Sequence, residues 1–189
     1  PYDDQLVIDG NATLGHELLG ENFDTIIVPI GGGGLISGTI EARKSGSLAT
    51  PTLSNAETLR RGEDIKKSQR LSVSALTVDA SRAAIFGAEP LHGNDAARSF
   101  RSGHLTANET EPTTIADGAR TLSLGHLNWP IIRDGAKDIL EVSDAKIAEA
   151  VRLYFSLANL KCEPTGALSL GAILENKALF KDKKVCVIV

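Results

Sequence analysis

TIIVPIGGGGLISGTIEARK, residues 25–44, is the stretch that decides the fold. It opens with β-branched residues at positions 26–28 and 30, a composition typical of a buried parallel strand. Four glycines, Gly31, Gly32, Gly33 and Gly34, follow this run. The next ten residues read as a helix that ends in basic side chains, where the helix dipole favours them. The stretch therefore predicts a strand, a glycine turn and a helix in succession.

A strand, glycines and a helix in this order form an arrangement that can hold a phosphate. Glycines adopt positive φ and let the backbone come close to a ligand, and the helix N-terminus offers N–H donors and partial positive charge. The stretch has neither the G-x-x-x-x-G-K-[ST] of a P-loop nor the G-x-G-x-x-G register of a dinucleotide site. A compact phosphate monoester fits four contiguous glycines better. A tight turn packed against a neighbouring element is the alternative.

Composition limits the classes of function. The chain has 189 residues, of which 42% are hydrophobic and 23% charged, with a net charge of −4. These values indicate a globular protein and give no reason to expect nucleic acid or an anionic membrane as partner. No apolar run is long enough to span a bilayer. Cys162 and Cys186 lie far apart without metal-type spacing, so we expect buried free thiols in a reducing compartment, the cytoplasm.

The remaining segments alternate between strand and helix patterns. We expect an irregular start over residues 1–10 and helices over residues 11–19, 35–44, 96–102 and 147–157, with another opening at residues 162–167. Strands are predicted at residues 84–90, 138–142 and 185–189, the last one buried. This alternation predicts an α/β fold, an open twisted parallel sheet flanked by helices.

Residues 45–84 differ in character from the rest. They contain no aromatic residue and seven serines, and their helical periodicity is poor. Long connections of this kind are uncommon in compact α/β domains. We interpret the segment as a disordered surface insertion. A segment that is not native coding sequence, such as a translated intron, and a regulatory loop are the alternatives.

Four segments together resemble a known family. They are, in chain order, VPIGGGGLISG (28–38), AEP followed by HGND (88–95), TIADG (114–118) and CEPTGALSLGA (162–172). Their combination is similar to the pyridoxal-phosphate enzymes of fold type II, within the serine/threonine dehydratase family. The branch that they resemble contains serine racemase and threo-3-hydroxyaspartate dehydratase. The likeness extends over nearly all of the chain except residues 45–84.

The resemblance implies roles for individual residues around pyridoxal phosphate. The four glycines at 31–34 and the N–H of Leu35 resemble the loop that binds the cofactor phosphate, in agreement with the reading of the residues themselves. Gly118 resembles the residue whose main chain lies against one face of the pyridine ring. Glu163 resembles the carboxylate near the ring-nitrogen side of the site. From the residues alone, we would instead interpret Glu163 as a helix-start carboxylate that the dipole favours.

The resemblance also implies a divalent-cation site at Glu89, Gly93 and Asp95. Two carboxylates and a backbone carbonyl are oxygen ligands of the kind that Mg²⁺ or Ca²⁺ prefers, with waters completing the shell. In the family this ion is structural and activating. His92 lies within the segment but is left out, because imidazole suits softer metals.

The resemblance implies that important parts of the enzyme lie elsewhere. The lysine that forms the Schiff base with the cofactor is expected upstream, so we assign no catalytic residue to this chain. We therefore expect residues 1–189 to be part of the large, cofactor-binding domain, a carboxyl-half fragment that is inactive alone. The intact protein is expected to be a homodimer.

The implied function is that of a lyase acting on a small β-hydroxy-α-amino acid such as serine, threonine or 3-hydroxyaspartate. Loss of the hydroxyl group and ammonia, or racemisation, is the expected reaction. Two alternatives remain open at this stage. One is another fold type II enzyme, a relative of threonine synthase or cysteine synthase. The other is a non-catalytic remnant that keeps the phosphate cradle.

Overall fold

The computed structural model describes residues 2–46 and 83–189 of the chain. Their order is helix α1, strand β1, helix α2, strand β2, helices α3 and α4, strand β3, helices α5 and α6, and strand β4. The strands are β1 (Thr25–Pro29), β2 (Ala84–Pro90), β3 (Asp138–Val142) and β4 (Val185–Val187). The helices are α1 (Gln5–Glu17), α2 (Gly34–Gly46), α3 (Asp95–Ser102), α4 (Asn128–Gly135), α5 (Asp144–Ala158) and α6 (Leu168–Glu175).

The four strands form one parallel sheet in the order β3-β2-β1-β4. From β1 the chain moves outward through β2 to β3, and then returns to place β4 on the other side of β1. The strand order therefore reverses beside β1. In open α/β sheets a ligand crevice forms outside the carboxyl ends of the strands at such a point. The loop after β1, which carries the four glycines, lies at this crevice.

Alternation along the strands divides the core between the two faces of the sheet. Val28 belongs to a cluster that includes Ile36 and Ile40 of α2. Ile27 points to the opposite face and belongs to a cluster with Phe86 and with residues of α5 and α6. Both clusters consist of fully or nearly fully buried apolar side chains. The predicted α/β sheet with helices on both faces is confirmed.

Two expectations about the ends of the chain are wrong. The irregular start expected over residues 1–10 does not extend past Asp4, because α1 begins at Gln5 and the Asp4 side chain accepts a hydrogen bond from Leu6 N–H at 2.8 Å, as an N-cap. The final strand is only half-buried, because β4 pairs with β1 alone at the edge of the described sheet.

Residues 47–82, most of the expected insertion, lie outside the described residues. At the margins of the insertion, Ser45 and Gly46 belong to α2, and Ala84 begins β2. The bounds 45–84 are therefore too wide. Within the described part of the chain, no helix is long and apolar enough to cross a membrane.

Candidate functional site

The glycine loop connects the end of β1 to the first turn of α2. Ile30 N–H donates to the Ala88 carbonyl at 2.8 Å, which anchors the loop to the neighbouring strand. Gly33 has φ +99°, a conformation that L side chains rarely adopt. Helix α2 begins at the next residue, and the first N–H groups of a helix have no intrahelical acceptor. The loop therefore ends at donors available to an anion.

Bare backbone is required at two further positions of the loop. A Cβ at Gly31 would lie 2.8 Å from the Gly118 carbonyl oxygen, closer than real Cβ atoms approach. A Cβ at Gly32 would overlap the ring of Tyr2, which covers this part of the loop. The main chain of Tyr2 is held in turn, since Asn128 Nδ2 donates to its carbonyl at 3.0 Å. Gly31 and Gly32 thus allow close contacts with Gly118 and Tyr2 that the sequence pattern alone does not show.

All the residues predicted to bind cofactor line one cavity of about 380 Å³ at the carboxyl end of β1. It brings the glycine loop and Leu35 together with Gly118 and Glu163, which are distant in the sequence. Two larger cavities, of about 860 and 710 Å³, lie elsewhere. We favour the smaller one because it combines the helix N-terminus, the glycines and the crevice where the strand order reverses.

Gly118 lies in a short 3₁₀ turn, Asp117–Ala119, and its peptide is held from two sides. Its N–H donates to Thr165 Oγ1 at 3.0 Å and to the Asp117 carboxylate, also at 3.0 Å. Its carbonyl packs against Gly31, as the distance for a Cβ there shows. The turn therefore links the glycine loop to the segment that precedes α6.

Glu163 is exposed and lies in the turn before α6. Ala167 N–H donates to its carbonyl at 3.3 Å, and the helix itself begins only at Leu168. Glu163 lies five residues before the first residue of the regular helix. The regular helix α6 thus begins later than the expected opening at residues 162–167, but a hydrogen-bonded turn leads into it from Glu163, so both readings of Glu163 stay open.

The predicted cation residues lie where β2 ends and α3 begins. Glu89 is 2% exposed and accepts hydrogen bonds from Ala97 N–H at 2.6 Å and Ala96 N–H at 3.2 Å. Asp95 is also 2% exposed, and its Oδ1 accepts from Asn108 Nδ2 at 2.9 Å. Asp95 Oδ2 is buried without a partner. A buried unpaired carboxylate oxygen is costly unless something compensates it.

Burial raises the pKa of both carboxyls. Desolvation raises the pKa of Asp95 to about 7, in spite of the Asn108 hydrogen bond. Desolvation also raises the pKa of Glu89 well above its usual range, and the Asp95 charge adds to the effect. A cation would stabilise both charged forms. Over residues 2–46 and 83–189, no three His, Cys, Asp or Glu side chains form a group able to hold a metal. The buried Gly93 lies between the two carboxylates along the chain.

The family model described as pyridoxal-phosphate dependent enzyme matches residues 1–189. This chain belongs to that family. It is 36% identical over 190 residues to L-threo-3-hydroxyaspartate ammonia-lyase of Pseudomonas sp, covering 100% of this chain and 49% of that protein. It is 35% identical over 188 residues to serine racemase of Arabidopsis thaliana, covering 98% and 46%.

Solved structures agree with this assignment. Serine racemase from Dictyostelium discoideum is 31% identical with a TM-score of 0.71, and the match covers 98% of this chain and 50% of that one. Threonine deaminase from T.th. is 35% identical with a TM-score of 0.74, covering 97% and 57%. The chain spans about half the length of the curated relatives it matches. The predicted family is confirmed.

Membership in the pyridoxal-phosphate family draws attention to cavity residues that the sequence analysis missed. Tyr2, Thr121 and Thr165 line the same cavity as the glycine loop. The sequence could have pointed to Thr165, because it lies two residues after the predicted site residue Glu163 in the same motif. Tyr2 and Thr121 had none, since only the tertiary fold brings them to the loop.

Proposed function

We propose that this chain forms the phosphate- and ring-binding part of a pyridoxal-phosphate-dependent lyase. Its substrate would be a small β-hydroxy-α-amino acid such as serine, threonine or 3-hydroxyaspartate, which loses its hydroxyl group and ammonia. The single observation that carries the proposal is the cavity shared by the glycine loop, Gly118 and Glu163. The names of the relatives, an ammonia-lyase for L-threo-3-hydroxyaspartate among them, support this substrate class.

The residues present fit the phosphate end of the cofactor. Positive φ at Gly33 and the absence of space for a Cβ at Gly31 leave a cradle of main chain next to the start of α2. We assign the N–H groups of the four glycines and of Leu35 to the phosphate, with the helix dipole adding attraction. Bound pyridoxal phosphate supplies an electron sink for negative charge at the substrate Cα.

Gly118 and Glu163 are assigned to the ring end of the cofactor. Without a side chain, the main chain of Gly118 can lie flat against an aromatic face. Glu163 brings a carboxylate to the cavity wall. No proton transfer at the substrate is assigned to a residue of this chain. Since the chain spans about half of its relatives' length, we propose that those groups belong to the rest of the full-length protein.

A structural divalent cation at Glu89, Gly93 and Asp95 is a second part of the proposal. The unpartnered, buried Asp95 Oδ2 and the raised pKa of both carboxyls support it. Mg²⁺ and Ca²⁺ are the candidate ions, because the donors are all oxygens.

We also propose a homodimer in the cytoplasm. The resemblance implies the homodimer, and the two free thiols, Cys162 and Cys186, support a reducing compartment.

The test uses full-length protein reconstituted with pyridoxal phosphate. Ammonia release is measured with L-threo-3-hydroxyaspartate, L-serine and L-threonine, with L-alanine as the control that has no β-hydroxyl group. Ammonia from at least one hydroxy amino acid and none from alanine is expected. Racemisation is the second candidate reaction, favoured by the serine racemases among the relatives, and chiral chromatography of the serine sample measures it. Absence of both reactions in cofactor-loaded protein would contradict the proposal.

A further inference from the structure

The loop that carries Gly118 is closed by one exposed arginine. Arg120 donates from Nε to the Thr114 carbonyl at 3.0 Å and from Nη2 to the same oxygen at 2.6 Å. Thr114 is 2% exposed, whereas Arg120 lies at the surface. Both ends of the segment 114–120 are therefore tied together by a charged donor, and such hydrogen bonds are stronger than neutral ones.

The closed loop is also held from outside at its start and at its tip. At its start, Thr114 Oγ1 donates to Asp144 Oδ1 at 2.5 Å and Ile115 N–H donates to Asp144 Oδ2 at 3.3 Å. At its tip, Gly118 N–H donates to Thr165 Oγ1 at 3.0 Å. The two hydrogen bonds from Arg120 to the Thr114 carbonyl close the segment that contains these two anchors. Their loss would remove the tie between the two ends of the segment without removing any buried side chain, and the tip would then be held by the Gly118 N–H bonds.

We propose that Arg120 is a positioning residue that fixes the main chain of Gly118 beside the cofactor ring. This inference rests on the proposed function, since it assumes that a ring lies against Gly118. Arg120 itself is not among the cavity-lining residues and is not expected to touch the ligand. It acts through Thr114, whose carbonyl it holds, and therefore on the ring end of the site. The phosphate end has its own support, because Ile30 anchors the glycine loop to Ala88.

The two ends of the site can be tested separately in the full-length protein. Equilibrium dissociation constants are measured for pyridoxal phosphate and for inorganic phosphate, which has no ring. Arg120→Ala is expected to lower the affinity for pyridoxal phosphate about five- to tenfold and to leave the affinity for inorganic phosphate within about twofold of the wild-type value. Arg120→Lys keeps the charge but not the two-pronged geometry, so it should recover only part of the loss. The control is Arg133→Ala, since Arg133 pairs with its neighbour Asp134 on α4.

Visible circular dichroism gives a second readout, because the dichroism band of the bound cofactor depends on the orientation of its ring in the site. Arg120→Ala should change this band, and Arg133→Ala should not. Equal weakening of pyridoxal phosphate and inorganic phosphate would show a general structural defect and overturn the inference. Wild-type affinity and an unchanged band in Arg120→Ala would overturn it as well, with the proposed function intact. If the wild-type protein binds no pyridoxal phosphate, the proposed function fails and the inference fails with it.

Discussion

Replacing Gly31 with alanine perturbs the site at its most crowded point. The new Cβ would lie 2.8 Å from the Gly118 carbonyl oxygen, with Ala119 Cα at 3.6 Å and Thr121 Cγ2 at 3.7 Å. The short contact is with backbone, so no flexible side chain can turn away. Either the glycine loop or the Gly118 turn must move. Both line the proposed cofactor site.

The size of the effect follows from the overlap. Ordinary contact begins at 3.4 Å, so the 2.8 Å approach requires a backbone shift of about 0.6 Å. Overpacking of this kind costs about 1–3 kcal/mol. Without cofactor the loop can relax, whereas the bound state needs the cradle in place. We therefore expect the cost to appear as an affinity loss of about 5- to 150-fold.

The assay is a titration of cofactor-free, full-length protein with pyridoxal phosphate and, separately, with inorganic phosphate. Gly31→Ala should lower the affinity for both ligands, because it displaces the glycine loop itself. A change at Arg120, in contrast, should lower the affinity for pyridoxal phosphate alone. The matched control is Gly10→Ala, where the added Cβ meets nothing within 4 Å inside α1. That variant should keep wild-type affinity and gain about 0.5–1 kcal/mol of stability. Wild-type affinity in Gly31→Ala would refute the reasoning.

Three further outcomes are expected. In metal-free protein the free energy of unfolding should fall as pH rises from about 4 to 7, because the Asp95 pKa of about 7 lies above the unfolded value of 3.8. Asp95 alone should contribute a slope of up to ~1.4 kcal/mol per pH unit. Denaturant titrations should show this slope, and Asp95→Asn should flatten it. Mg²⁺ or Ca²⁺ should raise Tm at pH 8 more than at pH 5, and an equal shift in Asp95→Asn would argue against this site. Asp4→Ala removes the N-cap of α1 and should cost about 1 kcal/mol in thermal unfolding, while an unchanged Tm would show that the cap contributes nothing.

Local patterns were sufficient for the sheet and for the glycine loop. The β-branched run before Gly31 and the apolar strand at 84–90 identify their elements because buried parallel strands need such side chains. The start of α1 was missed because Asp4, which falls in the expected irregular start, is in fact the N-cap. Acidic and turn-forming residues favour both structures, and only the accepted hydrogen bond distinguishes them.

The site was predictable only where residues adjoin each other in the chain. The contact between Gly31 and Gly118, 87 positions apart, depends on the tertiary fold, so the sequence pointed to Gly118 only through a family resemblance. The unpaired Asp95 oxygen likewise depends on how α3 meets the end of β2. Glu163 was ambiguous for the same reason, because the turn that separates it from the regular part of α6 cannot be read from the sequence.

An experimental structure of the full-length protein with pyridoxal phosphate tests the central claim most directly. The account predicts phosphate oxygens within hydrogen-bond distance of the N–H groups of the 31–35 loop, and the ring in van der Waals contact with the Gly118 main chain. A phosphate held mainly by side chains elsewhere, with the loop at the end of β1 left without ligand, would contradict it.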